Sequence, residues 1–405
     1  MGSGGSGSLT PTLSTAGSQI PWRRSNVRHT SNEMYVDIVE TLSVTYAPSG
    51  RPLAAFANGS IAFTSKVSGV PDLLLSLRAG SGPGADKVKR TMERPVFHPC
   101  VRLARWRDHA ELSFVPPDGR FVLAGYDVDL LDPSASPLSA KASDLNLPAS
   151  IEMRVGLGAT GSDFEVRLFV SHRFYTGSGS GNNSSSSLSS NSALGSAAAS
   201  LSNNLGSASS RPSTLRGNSG EAKAPVLEEL TVSIPVTHAV RNISDLRATK
   251  GEAHWSPGDT SIEWKISAKE AAGISSAGCV LRCSVVGAST DDSDDETPFS
   301  NGSGMKSSTH DYDDDDDYSA AATTTKPSSA EAAASKDKKK KSQNAGLMPS
   351  SASLSFGVKG WLASGLKVDA LVIDTKRSKG LGEGVRPYKG VKYLTVSRKG
   401  VEVRC

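Results

Sequence analysis

Between Met34 and Tyr46 apolar and polar residues alternate. Met34, Val36, Ile38, Leu42, Val44 and Tyr46 fall on one face, and Tyr35, Asp37, Thr41, Ser43 and Thr45 on the other. A period of two over that length predicts a half-buried β-strand. Pro48-Ser-Gly50 supplies turn chemistry after it, and Leu53–Val67 predicts a second strand around Gly59. Strand-like runs recur at Glu111–Val115, Arg120–Tyr126, Ile151–Leu157, Phe164–Ser171, Glu228–Pro235, Ser261–Ile266, Cys279–Val286, Leu354–Val358, Val368–Asp374 and Gly390–Val396. No long amphipathic helical pattern accompanies them. Many short strands punctuated by Gly and Pro predict an all-β protein of sandwich or barrel type.

Three stretches follow neither period: a Gly/Ser/Thr tail over residues 1–19, a Ser/Asn/Gly/Ala tract over 177–224, and an acidic-then-lysine tract over 289–349. Low-complexity polar segments of this kind cannot bury a core, and they are expected to be disordered loops or linkers. The composition agrees, since 37% hydrophobic and 6% aromatic residues are few for a chain folded end to end. The sequence lacks an apolar run of about 18 residues, which excludes a spanning helix. Its Gly/Ser leader lacks the apolar centre of a cleavable signal. Four cysteines, at 100, 279, 283 and 405, are too scattered for a disulfide framework and fit a reducing cytosol.

The net charge of +4 conceals an asymmetry, because residues 291–317 hold eleven acidic groups against one lysine, Lys306. With that stretch and the lysine-rich 326–341 set aside, the remaining body is clearly basic. Such a field suits an anionic partner, and Lys87, Lys89 and Arg90 are candidate contacts for an anionic membrane surface. Nucleic-acid binding is not expected, because no aromatics interleave with the run Lys338–Lys341.

Catalytic patterns are weak or missing. Gly156-Leu-Gly158-Ala-Thr-Gly161 has dinucleotide-binding spacing, yet a strand-like run follows it where a helix is required, so a hairpin turn is expected. Cys279 and Cys283 lie four apart in a predicted strand, which puts both thiols on one face without the further ligands that zinc needs. The run Asp313–Asp317 reads as a solvated acidic linker. Met1-Gly2 formally fits N-myristoylation, which a flexible leader explains as well. The expectation is a non-enzyme that uses no cofactor and no metal.

Several segments together resemble one family. Ile20-Pro-Trp22-Arg-Arg24 with Ser31-Asn-Glu33-Met-Tyr35-Val-Asp37, then Ser68-Gly-Val-Pro71-Asp-Leu73, are similar to the opening of the mu-homology domain of clathrin-adaptor medium subunits. Its most specific signature is matched by Phe97-His-Pro-Cys100-Val-Arg102-Leu and by Leu112-Ser-Phe114-Val-Pro116-Pro-Asp-Gly119-Arg-Phe121. Ser364-Gly-Leu-Lys-Val368 and Gly390-Val-Lys-Tyr393 match near the C-terminus, the latter most like the medium subunits of adaptor protein complex 3. The family's N-terminal longin-like α/β domain has no expected counterpart here. The resemblance implies two sandwich-like subdomains, the second inserted in the first: subdomain A over 20–143 and 351–405, subdomain B over 144–350.

It also implies a function. The chain would bind tyrosine-based sorting signals (Tyr, two variable residues, a bulky apolar residue) in cytosolic tails of membrane cargo by strand addition at Gly390-Val-Lys392. Transport would run from Golgi or endosomes to vacuole or lysosome, with the protein cytoplasmic and peripheral on those membranes and their vesicles, beside other adaptor subunits. Tyr35, Val36, Asp37, Thr64, Lys66, Gly390 and Lys392 would surround the signal's tyrosine, and Val368, Leu371 and Val391 would receive the apolar residue. Thr64 and Gly390 stand where plasma-membrane relatives carry a lysine and a tryptophan, so a looser tyrosine pocket is expected. An aspartate in the middle of an apolar strand is unfavourable by propensity, which singles out Asp37 as an acceptor for the phenolic hydroxyl. The alternative within the family is an endocytic-accessory or coat-type domain that binds protein partners without tyrosine signals.

Overall fold

The alternation that begins at Met34 becomes β1 (Glu33–Tyr46), which lies inside the largest sheet of a computed structural model. The structure describes residues 20–80, 84–131, 145–174, 224–287, 340–382 and 385–405. The expected tail 1–19 and the tract 177–223 lie outside the described residues, as does 289–339.

The strands following β1 are β2 (Pro52–Lys66), β3 (Leu73–Ala79), β4 (Glu93–Phe97), β5 (Glu111–Phe114), β6 (Gly119–Asp129), β7 (Ala149–Leu157), β8 (Asp163–Val170), β9 (Val226–Leu227), β10 (Leu230–Pro235) and β11 (Val240–Ala248). Then come β12 (Glu252–His254), β13 (Ser261–Ile266), β14 (Cys279–Gly287), β15 (Ser351–Lys359), β16 (Leu366–Ile373) and β17 (Tyr388–Arg404). Short helices occur among the described residues, including α1 (Ala85–Thr91), α2 (Leu103–His109) and α3 (Ala268–Ala272), each too short to show a long amphipathic period in the sequence. α3 is set by a reciprocal capping box between Ser267 and Glu270.

Among the described residues the strands form three sheets. The largest runs β12-β13-β10-β15-β17-β1-β2-β6-β4, with β9 added to β15. At about 4.8 Å per strand it spans roughly 40 Å, which gives the elongated all-β architecture. A three-stranded sheet β16-β3-β5 packs against the β1–β2 region, where Phe63 meets Phe114 edge-on at 5.1 Å. A four-stranded sheet β11-β14-β8-β7 packs beside the other half. The turn Gly158–Gly161 joins β7 to β8, so the glycine-rich spacing is a hairpin. Cys279 and Cys283 are buried on one face of β14, and burial pushes their thiols up to about 11 and about 12.

β15 bonds to β10 on one side and β17 on the other. Of the tract 289–349, expected to be disordered, residues 340–349 are described. Leu347 and Met348 are buried, and the Asn344 amide donates to the Thr160 carbonyl at 2.9 Å. Two apolar side chains beside a helical turn give that end a core contact that the lysine run conceals.

Candidate functional site

β1 pairs antiparallel with β2 on one side and parallel with β17 on the other. The registers line up two rows across four strands: Gly390–Tyr35–Thr64–Arg120 and Lys392–Asp37–Ala62–Val122. Side chains alternate along each strand, so both rows share the solvent-facing side of the sheet, while Met34, Val36 and Ile38 point into the core. Val36 is 0% exposed, and its side chain faces the core, opposite to Tyr35 and Asp37.

Asp37 is reached by Arg120, whose Nη1 donates to Oδ2 at 2.8 Å across the intervening strand. The small Ala62 opposite Asp37 leaves the path open. Asp37 is 19% exposed and Arg120 62%, so the pair is a poised surface group whose second carboxylate oxygen has no bond to a described residue. An exposed pair of this type adds little stability. Arg120→Ala is accordingly expected to change unfolding free energy by less than about 1 kcal/mol in urea denaturation.

Tyr35 donates to the Glu33 carboxylate at 3.2 Å, and Lys66 lies 3.8 Å from the same oxygen. The Tyr35 ring covers Gly390, where a Cβ would stand only 2.7 Å from Cδ1, and its centroid lies 5.8 Å from that of the exposed Tyr388. The place of a large side chain at 390 is therefore filled from β1. Thr64 stands between Tyr35 and Arg120 in its row, and Lys66 faces Glu33.

The neighbouring stretch of β17 is open on one edge. β17 pairs with β1 from Tyr388 onward but with β15 only from Leu394 onward. Among the described residues, the other edge of Tyr388–Lys392 carries no backbone ladder. Across from it stands β16, tied to β17 by side chains. The Val368 amide donates to the Tyr393 hydroxyl at 2.9 Å, and Lys389 Nζ donates to the Leu371 carbonyl at 2.6 Å. Burial lowers the pKa of Lys389 and raises that of Tyr393. Val391 lies between those two on the same face of β17 and is 39% exposed, while Leu371 is 6% exposed. Lys389 and Tyr393, which flank Val391 in β17, thus reach Leu371 and Val368 of β16, while Tyr35, Asp37, Gly390 and Lys392 lie on the opposite face of the sheet.

Lys87, Lys89 and Arg90 lie elsewhere, on α1. Lys89 Nζ donates to the Arg107 carbonyl and Arg90 Nε to the Asp86 carbonyl. Arg120, Tyr388, Lys389 and Tyr393 were missed by sequence reasoning. For Arg120 a signal existed, since it follows the Pro-Pro-Asp-Gly turn, but linking it to Asp37 needs the β1–β2–β6 register. Among the described residues no three His, Cys, Asp or Glu side chains gather as metal ligands, and no helix is long and apolar enough to cross a membrane.

A family model, the adaptor complexes medium subunit family, matches residues 20–405. The human AP-3 complex subunit mu-1 is 39% identical over 140 residues, covering 34% of this chain and 31% of that protein. The rat AP-3 complex subunit mu-2 is 39% identical over 126 residues, covering 31% and 28%. The matched stretch thus spans about a third of each relative. Among solved structures, the yeast delta-COP-I mu-homology domain aligns with 93% of this chain and 100% of its own, at 11% identity and a TM-score of 0.45. With a family model matched from residue 20 to the last residue, the chain belongs to the adaptor complexes medium subunit family.

Proposed function

We propose that the chain is a non-catalytic cargo-binding module of vesicle transport that takes up tyrosine-based sorting signals at the open edge of β17. The observation that carries this is the division of the site between two faces of one edge. In an extended peptide, residues three apart point to opposite sides. A tyrosine and a bulky apolar residue at that spacing therefore meet different faces of the strand they join. Here the polar face that carries Asp37, Arg120 and Lys392 points one way, and Val391 with the β16 wall the other. Backbone bonds to the edge supply affinity without sequence preference, and the two faces supply the preference.

In this role Asp37 accepts from the signal's phenolic hydroxyl, and Arg120 holds the carboxylate in place. Tyr35 and Tyr388 form an aromatic shelf over Gly390. The partners are cytosolic tails of membrane cargo and other adaptor subunits, with the basic body near an anionic Golgi or endosomal surface.

Titration of a labelled Tyr-x-x-Leu peptide against the wild type and Val391→Asp tests the proposal. The aspartate puts a charge where an apolar side chain would be buried, and at least tenfold weaker binding is expected. Val391 is partly exposed, so the fold should tolerate the change. Equal binding to both proteins, or to a peptide with alanine for tyrosine, would contradict the proposal.

A further inference from the structure

β1 buries a charged residue on its core face. Glu40 is 0% exposed between Ile38 and Leu42, each 1% exposed, and among the described residues no cation pairs with it. An uncompensated buried carboxylate is costly, so its bonds define its use. The Tyr126 hydroxyl donates to Oε1 at 2.9 Å, reaching from β6 over Gly59. The other two donors both come from Ser364: its amide bonds Oε2 at 3.0 Å and its hydroxyl bonds Oε1. Burial, and the Glu40 carboxylate beside it, push the Tyr126 hydroxyl upward, which keeps it a neutral donor.

Ser364 stands two residues before β16, and its hydroxyl oxygen accepts from the Leu366 amide that opens that strand at 3.1 Å. A second pin lies directly opposite Glu40 in the register of β17, where the buried Thr395 hydroxyl donates to the Trp361 carbonyl at 3.0 Å. Residues 361–364 are thus fastened to the large sheet from β1 and β17 together. Further along β16, Val368 and Leu371 are met by Tyr393 and Lys389. Those two strands share no backbone ladder, so side-chain bonds are what join β16 directly to the open edge of β17.

We propose that Glu40 is a positioning residue for the apolar half of the cargo site, acting through Ser364 to fix the β16 wall against the β17 edge. This rests on the cargo-binding role proposed above. Glu40 touches no cargo. It determines how well the groove accepts the bulky residue while leaving recognition of the tyrosine alone.

The test uses the whole chain as wild type, Ser364→Ala and Glu40→Gln, with Tyr-x-x-Leu and Tyr-x-x-Ala peptides and hydrogen exchange of the β16 amides. Ser364→Ala removes one hydroxyl and leaves the amide on Glu40, so folding should survive it. Glu40→Gln replaces an acceptor oxygen with a donor facing Ser364 or Tyr126. The leucine peptide should bind each variant about five- to tenfold more weakly and the alanine peptide less than twofold more weakly, a coupling expected of groups in one network. Exchange at Leu366 and Val368 should quicken at least tenfold. Equal loss for both peptides, or unchanged binding with unchanged exchange, would overturn the proposal. If the wild type binds neither peptide, the cargo role fails, and the exchange result still decides whether Glu40 holds β16.

Discussion

Replacing Gly59 with alanine should cost on the order of 3–5 kcal/mol of stability, although only one methyl group is added. A Cβ at that position would stand 2.1 Å from Cζ of Tyr126, inside the ring's own volume. Tyr126 cannot step aside freely, because its hydroxyl is bonded to the buried Glu40 carboxylate. Moving the ring would strand that charge with one donor fewer, and hydrogen bonds to charged groups contribute about 1.5–3 kcal/mol each. For a domain of this size the melting temperature should fall by roughly 10 °C. The cause is checked by a cycle with Tyr126→Ala, measured by thermal unfolding. In that background Gly59→Ala should cost less than about 1 kcal/mol, because the obstructing ring is gone. Equal cost in both backgrounds would locate the strain elsewhere.

The second large effect is expected at Arg23, only 2% exposed and fixed at the end of β2. Its guanidinium donates to the Gly69 carbonyl at 2.7 Å, the Pro116 carbonyl at 3.0 Å, the Ser65 hydroxyl at 3.4 Å and the Val67 carbonyl. One planar fork thus ties the N-terminal segment to the loops after β2 and before β6. Burial lowers its pKa, an effect that Asp118 opposes. Arg23→Met keeps the length but leaves buried carbonyls without donors, and a loss of about 3–5 kcal/mol follows. Arg23→Lys should recover little, because an ammonium cannot reproduce the planar geometry. The adjacent exposed Arg24 is the control, and Arg24→Met should stay within about 0.5 kcal/mol. Urea unfolding of the three variants would show this order.

What the sequence made legible follows from local periodicity. The alternation around Asp37 predicted its strand and its face, because burial of one face enforces a period of two. The strand Val240–Ala248 was missed because its residues are mostly polar and solvent-facing, leaving little period to detect. Leu73–Ala79 was missed for the opposite reason: Leu73, Leu74 and Leu75 are contiguous and mask the alternation, although Leu73 and Leu75 are fully buried and Leu74 is not.

The site depended on register, which no local pattern specifies. Tyr35 meets Gly390 only because a strand near the C-terminus returns parallel to β1. Arg120 finds Asp37 across 83 residues of sequence. The resemblance grouped Val36 with Tyr35 and Asp37, and the pleat puts its side chain on the face opposite to theirs. Glu40 lies in phase with the apolar face, but a charged residue is ordinarily assigned to solvent. Its reason for being inside, Ser364, lies 324 residues away.

In the proposed role Asp37 reads the tyrosine of an extended signal at the open edge of β17. A four-way titration tests it most directly: tyrosine and phenylalanine versions of one peptide against the wild type and Asp37→Ala. Removing a paired hydroxyl in a partly dry groove should cost roughly 1–3 kcal/mol, or about ten- to a hundredfold in affinity. That loss is expected in the wild type and should shrink below about threefold in Asp37→Ala, because the acceptor is already gone. Losses that simply multiply across the two changes would show that Asp37 does not meet the tyrosine and would contradict the assignment of this face.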